Sequence, residues 1–257
     1  MPTTLVEHGK RICKPPYDGP GLRRAFFEIQ DDQFWEITRK VYDCTQLSIE
    51  ALWGLYEAVR YVVRNHVPGD IVECGVYYGG STMAIAETLL RLGDTSRTIC
   101  MYDSFEMFTG PSSELDRTFD GRPIEGRQPS FRAITTTNVG ETGYPEAQLR
   151  VVEGNVEDTL VLSRHQRIAL LRLDTDTYHS TAAELRYLYP TLVEGGVLII
   201  DDYGHAQGAR MAVDDYFSRH DIPMLLNRTS FTCRMGVKVE SGQRGTRTQT
   251  SPPALLG

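Results

Sequence analysis

Residues 170–179 read Leu-Leu-Arg-Leu-Asp-Thr-Asp-Thr-Tyr-His, and residues 196–203 read Gly-Val-Leu-Ile-Ile-Asp-Asp-Tyr. In each stretch an apolar run of strand length stops abruptly on carboxylates. The residues between them, 180–192, read as a helix and are followed closely by two glycines. A strand, a crossover helix and a second strand make the two strands parallel neighbours, so the chain is predicted to have an α/β fold.

The acids at the two strand ends are predicted to lie together. In a parallel sheet ligands bind outside the carboxyl ends of the strands, so Asp174, Asp176, Asp201 and Asp202 should stand at one rim. Crowded carboxylates repel each other unless a positive charge lies among them, and a hard divalent cation with oxygen ligands is the natural candidate. Solvated strand-end acids and helix caps are the alternative, which would suffice for a single Asp. Two clusters joined by one crossover favour a metal or catalytic site.

Bulk properties narrow the class of protein. The chain has 257 residues, a formal net charge of −7 and five scattered cysteines. The negative charge argues against nucleic acid or an anionic membrane as a partner. No two cysteines form a C-x-x-C pair, so neither a zinc site nor a disulfide framework is indicated, and a reducing cytoplasm suits the pattern. Apolar runs are too short to span a bilayer. We therefore expect a cytoplasmic globular protein.

Three regions are predicted along the chain. Residues 1–65 form an N-terminal helical extension, with amphipathic helices over 22–42 and 48–65. Residues 66–240 alternate strands and helices and form the main domain. Residues 241–257 are polar and glycine-rich, which is typical of a loose tail.

Two further segments of the main domain are predicted from their patterns. Residues 106–148 lack steady periodicity, and a connection this long in a compact domain is usually functional or disordered. We interpret it as a lid over the site, with residues 130–138 as a candidate helix. The last two strands are predicted over 222–226 and 231–239, as a hairpin.

A glycine turn follows the first predicted strand. Residues 70–81 read Asp-Ile-Val-Glu-Cys-Gly-Val-Tyr-Tyr-Gly-Gly-Ser, a strand, a turn and a helix start. Such a turn lets a ligand approach the backbone closely. The dinucleotide fingerprint needs a glycine where Tyr77 stands, so NAD is disfavoured. Asp103 ends the next strand, where a ribose hydroxyl would lie, although a plain helix cap is the alternative reading.

Five short motifs stand at or just after predicted strand ends. They are Val72-Glu73-Cys74-Gly75-Val76, Tyr102-Asp103-Ser104-Phe105, Glu157-Asp158-Thr159-Leu160, Leu173-Asp174-Thr175-Asp176-Thr177-Tyr178 and Ile200-Asp201-Asp202-Tyr203. Together, over residues 45–240, they resemble the macrocin O-methyltransferase family of class I S-adenosylmethionine-dependent methyltransferases. The resemblance implies a Rossmann-like sheet, mostly parallel with a C-terminal antiparallel hairpin. It also implies a homo-oligomer that methylates a deoxysugar hydroxyl of a glycosylated natural product in antibiotic biosynthesis.

The resemblance also implies roles for individual residues. S-adenosylmethionine would be held by Glu73, Gly75, Val76, Tyr77, Asp103 and Ser104, with its adenine at Asp158 and Thr159. Magnesium would be bound by Asp174, Asp201 and Asp202. Asp176 matches the general base. The family commonly has Gly at Thr175 and Glu at His179, so His179 is a rival base. If Thr177 or Ser180 begins the following helix, His179 instead points outward.

The chemistry of such a site can be stated in outline. A sugar hydroxyl is a poor nucleophile until its proton is lost, while the cofactor brings its own leaving group, so the protein supplies positioning and deprotonation. A magnesium ion would orient the acceptor and lower the pKa of its hydroxyl. Two alternatives remain: a metal-dependent methyltransferase of catechols or other phenols, and a non-methylating α/β protein, either a reductase or a cofactor-binding module.

Overall fold

The computed structural model describes residues 17–106, 111, 113–124, 132–162 and 165–239. Within these residues one sheet has the strand order β3-β2-β1-β4-β5-β7-β6. The strands are β1 (Asp70–Cys74), β2 (Ile99–Asp103), β3 (Leu149–Glu153), β4 (Ile168–Leu173), β5 (Leu192–Ile200), β6 (Asn227–Arg228) and β7 (Arg234–Val237). Strands β1 to β5 are mutually parallel, and β7 runs antiparallel to both β5 and β6. The predicted fold class, a mostly parallel sheet with a terminal antiparallel hairpin, is confirmed.

Helices cover both faces of this sheet. They are α1 (Gly19–Ala25), α2 (Asp32–Val41), α3 (Ile49–Arg64), α4 (Gly80–Arg91), α5 (Arg132–Gly140), α6 (Val156–Thr159), α7 (Tyr178–Leu188) and α8 (Gln207–Arg219). Successive strand residues face opposite sides, so Ile71 packs with α2, α3 and α4, whereas Val72 packs with α7 and α8. A sheet buried on both faces explains why its strands are almost continuously apolar.

Two predicted elements differ from the structure. The single helix over 22–42 is two helices, because Asp31 caps α2 by accepting hydrogen bonds from Gln33 N and Phe34 N. Residues 222–226 are not a strand; the hairpin begins at β6. In residues 222–226 partly buried and exposed side chains alternate because Ile222, Met224 and Leu226 pack on the core. Their backbone does not pair with a neighbouring strand.

One described part of the predicted lid, the turn over residues 117–123, lies at the predicted rim, beside the loop after β5. Residues 117 and 123 bridge across a short turn, and Thr118 bridges to Ala206. The candidate helix over 130–138 corresponds to α5, displaced by two residues at each end. The remaining lid residues, 107–110, 112 and 125–131, lie outside the described residues, as do residues 1–16 and the predicted tail. The domain boundaries stay predictions. None of the described helices is both long enough and apolar enough to cross a membrane.

Candidate active site

A cavity of about 740 Å³ opens at the carboxyl ends of the parallel strands. The predicted site residues that line it are Gly75, Val76, Tyr77, Asp103, Ser104, Asp158, Asp174, Asp176, Asp201 and Asp202. Glu73, Thr159 and His179 are not among its lining residues. The Thr159 hydroxyl instead donates to the carbonyl of Asn155, one turn back in α6, at 3.0 Å.

Three carboxylates converge at one side of this cavity. Asp174, Asp201 and Asp202 each offer one oxygen, and these oxygens lie within 4.8 Å of one another. The backbone explains the meeting: Asp174 N donates to Cys74 O and Asp201 N donates to Leu173 O, both at 2.9 Å. The ladder therefore continues one residue past β4 and β5, which delivers both acids to the same rim.

A buried arginine lies among these acids. The guanidinium of Arg172, the penultimate residue of β4, is 2.8 Å from Asp174 Oδ2 and 2.9 Å from Asp201 Oδ1. It also pairs with Glu73 Oε1 at 2.8 Å. Burying charges without partners is very unfavourable, and here each charge has one. The positive charge that the acid cluster requires is thus supplied in part by the chain itself.

Asp201 has an unusual environment even so. Its Oδ1 is at ion-pair distance from Arg172 but has no partner with hydrogen-bond geometry among the described residues. Burial raises the pKa of Asp201 to about 7; the Asp174 charge adds to the rise and Arg172 opposes it. A group with this pKa takes up a proton near neutral pH, and an added cation would favour its ionised form.

Glu73 supports the arginine rather than facing the cavity. Its side chain is fully buried, accepts a hydrogen bond from the Thr82 hydroxyl and pairs with Arg172. Burial raises the pKa of Glu73, whereas the Arg172 charge lowers it. A direct cofactor contact, predicted for Glu73 from the motif, does not fit this position. Its place at the strand end is as expected, but the side chain points into the layer beneath the site.

The glycine turn is organised by Asp103. Asp103 Oδ2 accepts hydrogen bonds from Val76 N at 2.8 Å and Tyr77 N at 3.1 Å, and Oδ1 accepts from Phe105 N at 2.8 Å. Gly75 has a φ of +80°, and a Cβ there would lie 1.9 Å from Asp174 O. Only glycine fits that approach. The turn and the acid cluster therefore share one wall of the cavity.

The two candidate bases lie in different places. Asp176 is 7% exposed, lines the cavity and donates its backbone N–H to Asp202 Oδ2 at 3.2 Å. Thr177 caps α7, its hydroxyl accepting from Ser180 N at 3.3 Å, so His179 falls in the first helical turn. His179 is exposed and lines a separate cavity of about 710 Å³ between α7 and α8. Of the two candidate bases, Asp176 thus lies beside the acid cluster and His179 lies outside that cavity.

Two residues of this region were missed from the sequence. Arg172 interrupts an apolar strand, and a charge inside a buried run is itself a signal of a paired network. His205 lines the cavity close to Asp202 in the loop after β5. The sequence offers less reason to choose His205, because its only mark is that it lies three residues after Asp202, past the acidic end of a strand.

Comparison with known proteins identifies similar chains. A sequence model of the family described as macrocin O-methyltransferase matches residues 44–235. The chain is 35% identical over 181 residues to 8-demethyl-8-(2,3-dimethoxy-alpha-L-rhamnosyl)-tetracenomycin-C 4'-O-methyltransferase of Streptomyces olivaceus, covering 69% of each protein. It is 33% identical over 223 residues to demethyldecarbamoylnovobiocin O-methyltransferase of Streptomyces niveus, covering 83% of this chain and 84% of that one.

A solved structure agrees with this similarity. The O-methyltransferase NovP superposes with a TM-score of 0.66 at 27% sequence identity, over 79% of this chain and 88% of its own. The matched range contains all five strand-end motifs and the whole acid cluster.

Proposed function

Because the chain belongs to the macrocin O-methyltransferase family, we propose that this O-methyltransferase moves the methyl group of S-adenosylmethionine to a deoxysugar hydroxyl of a glycosylated natural product. The observation that carries the proposal is one cavity lined by both the glycine turn and the three-carboxylate cluster. The names of the two relatives, a rhamnosyl-tetracenomycin and a novobiocin O-methyltransferase, support a glycoside as the acceptor.

The cofactor is proposed to lie along the glycine turn. Gly75, which carries no side chain, lines the cavity together with Val76 and Tyr77, and Asp103 holds the amides of Val76 and Tyr77 in place. Asp103 ends β2 and lines the same cavity, so its carboxylate is proposed to lie beside a ribose hydroxyl of the cofactor. Asp158, also on the cavity wall, is proposed to lie near the adenine, as the family resemblance implies.

Magnesium is proposed at Asp174, Asp201 and Asp202. What supports it is the donor set: three carboxylates at one point, the hard oxygen ligands that this cation prefers. With Glu73 and Arg172 included, four negative charges face one positive charge, a formal net charge of −3 when all are ionised. Bound magnesium would supply a Lewis acid that orients sugar oxygens and lowers the pKa of the hydroxyl.

Asp176 is proposed as the general base. It lies in the loop that follows Asp174, and its backbone is tied to Asp202, so its carboxylate is positioned beside the acid cluster. The sugar hydroxyl would give its proton to this carboxylate while its oxygen bonds to the methyl carbon, and the methyl–sulfur bond would break to release S-adenosylhomocysteine. Arg172 stays charged and keeps Asp174 and Asp201 in place.

Methyl transfer to defined acceptors tests the function. We expect transfer from radiolabelled S-adenosylmethionine to an L-rhamnoside and no transfer to catechol, with NMR locating the new methyl ether on the sugar. Methylation of catechol with no product from any glycoside would favour the phenol alternative. Thermal-shift measurements with S-adenosylhomocysteine and with NAD separate either methyltransferase from a reductase, because a ligand that binds the folded protein raises its melting temperature.

The metal proposal has its own measurements. Excess chelator should abolish turnover, and magnesium should restore it. Asp201→Asn should weaken Mn²⁺ binding, followed by electron paramagnetic resonance, while S-adenosylhomocysteine still binds. Full turnover in chelator would overturn the proposal.

The base is tested by a pair of substitutions on either side of the α7 N-cap. Asp176→Asn should lower turnover by roughly 10²–10⁴-fold, the usual worth of a general base, with Mn²⁺ binding retained. His179→Ala, three residues away and outside the cavity, should leave turnover close to that of the wild type. The reverse result would move the base to His179. A homo-oligomer, implied by the family, is tested by light scattering.

A further inference from the structure

We propose that two exposed aromatic side chains beside the acid cluster, Phe119 and Phe231, bind the apolar aglycone of the acceptor glycoside. This inference rests on the proposed sugar methylation and adds the part of the acceptor that the acids do not recognise. Phe119 belongs to the described lid turn, and Phe231 to the connection between β6 and β7. Residues 112 positions apart (231 − 119) thus meet next to His205 and Thr232, two lining residues of the cavity.

The rings of Phe119 and Phe231 are both exposed to solvent and contact each other. Phe119 is 57% exposed and Phe231 is 53% exposed. Their rings meet edge to face with centroids 5.1 Å apart, and the Phe119 ring lies 6.1 Å from that of His205. Single exposed apolar residues are common, but a cluster of exposed rings beside a cavity marks a site for an apolar partner.

The aromatic pair is continuous with the acid cluster. His205 and Thr232 both line the cavity, and Thr232 directly follows Phe231. Gly204 N donates to Thr232 O at 2.7 Å, and a Cβ at Gly204 would lie 2.2 Å from Phe231 O. The loop that carries the acids after β5 therefore packs directly on the loop that carries Phe231. A sugar held at the acids has its glycosidic substituent beside these rings.

Phe119 is held at this place by the lid turn. Gln207 N donates to Arg117 O at 2.7 Å, next to the Thr118–Ala206 bridge. Asp116 is 1% exposed, and its Oδ1 accepts from Tyr178 N at 2.8 Å, which ties the turn to the start of α7. The ring is thus presented by backbone contacts to two helices, α7 and α8, and an acceptor meets a preformed surface.

Charge favours an apolar aglycone over a nucleotide diphosphate. The cavity wall next to the rings carries Asp174, Asp176, Asp201 and Asp202. Even with Arg172 and the proposed divalent cation counted, these four carboxylates leave the wall with a formal negative charge, which disfavours a diphosphate but not a neutral aglycone. The Arg228 guanidinium lies 5.4 Å from the Phe231 ring centre and contacts the aromatic face by a cation–π interaction. A nucleotide sugar is therefore included among the probes, as the alternative acceptor that the charge of the cavity wall disfavours.

The experiment compares three rhamnose derivatives. The probes are 2-naphthyl α-L-rhamnopyranoside, methyl α-L-rhamnopyranoside and dTDP-L-rhamnose, each titrated calorimetrically with S-adenosylhomocysteine and magnesium present and each assayed for methyl transfer. Phe119→Ala, Phe231→Ala and the conservative Phe119→Leu are compared with Phe27→Ala. Phe27 is 73% exposed, lies in the connection between α1 and α2 and makes no ring contact with the described rings of Phe119, Phe231 or His205, so it is the matched control.

We expect the wild type to bind the naphthyl glycoside at least about 10-fold more tightly than the methyl glycoside, the scale of an aromatic contact with its buried area. Phe119→Ala and Phe231→Ala should each remove most of that preference through KM, with kcat on methyl rhamnoside retained. Phe119→Leu should keep part of it, and Phe27→Ala should change nothing.

Several outcomes overturn the inference. The first two are equal affinity of the wild type for the naphthyl and methyl glycosides, and no measurable binding of the naphthyl glycoside. A third is that the alanine variants lose affinity equally for both glycosides. A fourth is that the wild type prefers dTDP-L-rhamnose and that either alanine substitution removes this preference. Equal methylation of both glycosides would sink the aglycone surface and leave the proposed function standing. If the substitutions abolish a preference for the naphthyl glycoside but no probe is methylated, the aglycone surface would stand and the proposed function would fall.

Discussion

Two glutamates beneath the site are equally buried but have different partners. Glu73 and Glu184 are both 0% exposed, Glu73 on the α4 side of the sheet and Glu184 in α7 on the other. Glu73 meets the Arg172 guanidinium. Glu184 meets the Thr175 hydroxyl at 2.9 Å, and its Oε2 has no hydrogen-bond partner within the described residues.

The difference shows what determines the protonation state of a buried acid. Burial raises the pKa of both carboxyls. At Glu73 the arginine opposes the rise, whereas at Glu184 the Thr175 hydrogen bond opposes it while the charges of Glu157 and Asp174 add to it. The pKa of Glu184 is accordingly raised well above its ordinary value. Glu73 thus pairs with Arg172 under the acid cluster, whereas burial without a counter-charge favours the protonated form of Glu184, which contacts the loop that carries Asp176.

Removing the shared cation should have the largest effect. Arg172→Met leaves Glu73 buried without its counter-charge and removes the partner of Asp174 and Asp201. We expect the free energy of unfolding to fall by about 3–5 kcal/mol, the cost of breaking a buried ion pair. Urea unfolding at pH 7 measures it. Adding Glu73→Gln to Arg172→Met should recover part of the loss, and a double variant that is further destabilised would contradict the network.

Matched substitutions of the two glutamates come next. Glu73→Gln removes a charge that pairs with Arg172, and we expect a loss of about 1.5–3 kcal/mol, the range for hydrogen bonds to charged groups. Glu184→Gln replaces a neutral acid by a neutral amide, so the loss at pH 5 should stay below about 1 kcal/mol. Urea unfolding of both variants makes the comparison directly. Equal losses would mean that both glutamates are charged.

The last prediction concerns a pH dependence of stability that belongs to Glu184. The unfolded chain loses this proton at a pKa of about 4.3, and the folded protein keeps it to higher pH. Between the two pKa values unfolding releases a proton, so stability falls as pH rises, by up to about 1.4 kcal/mol per pH unit. Glu184→Gln does not titrate and should gain stability relative to the wild type as the pH rises above about 4.3, the pKa of an unperturbed glutamate. A pH-independent difference would show that Glu184 is already ionised.

Much of this molecule was predictable because the relevant signals are local. The apolar runs that end on acids predicted the sheet, the rim and the meeting of Asp174 with Asp201. Five motifs in order predicted the family, which is confirmed. Capping was predictable at Ser48, whose side chain accepts from Ala51 N at 3.3 Å. All of these follow from residue spacing and strand direction, which need no knowledge of distant contacts.

The rest depends on contacts between distant residues. The sequence alone determined that Glu73, Arg172 and His179 stand near strand ends. Only the tertiary structure decided that Glu73 turns inward to Arg172, 99 positions away, and that His179 faces a different cavity. Side-chain direction at a strand exit depends on which layer packs beneath it and on where a helix cap starts the next turn. The same holds for Phe119 and Phe231, which are unremarkable in the sequence and adjacent only because the lid turn and the terminal hairpin fold onto one rim.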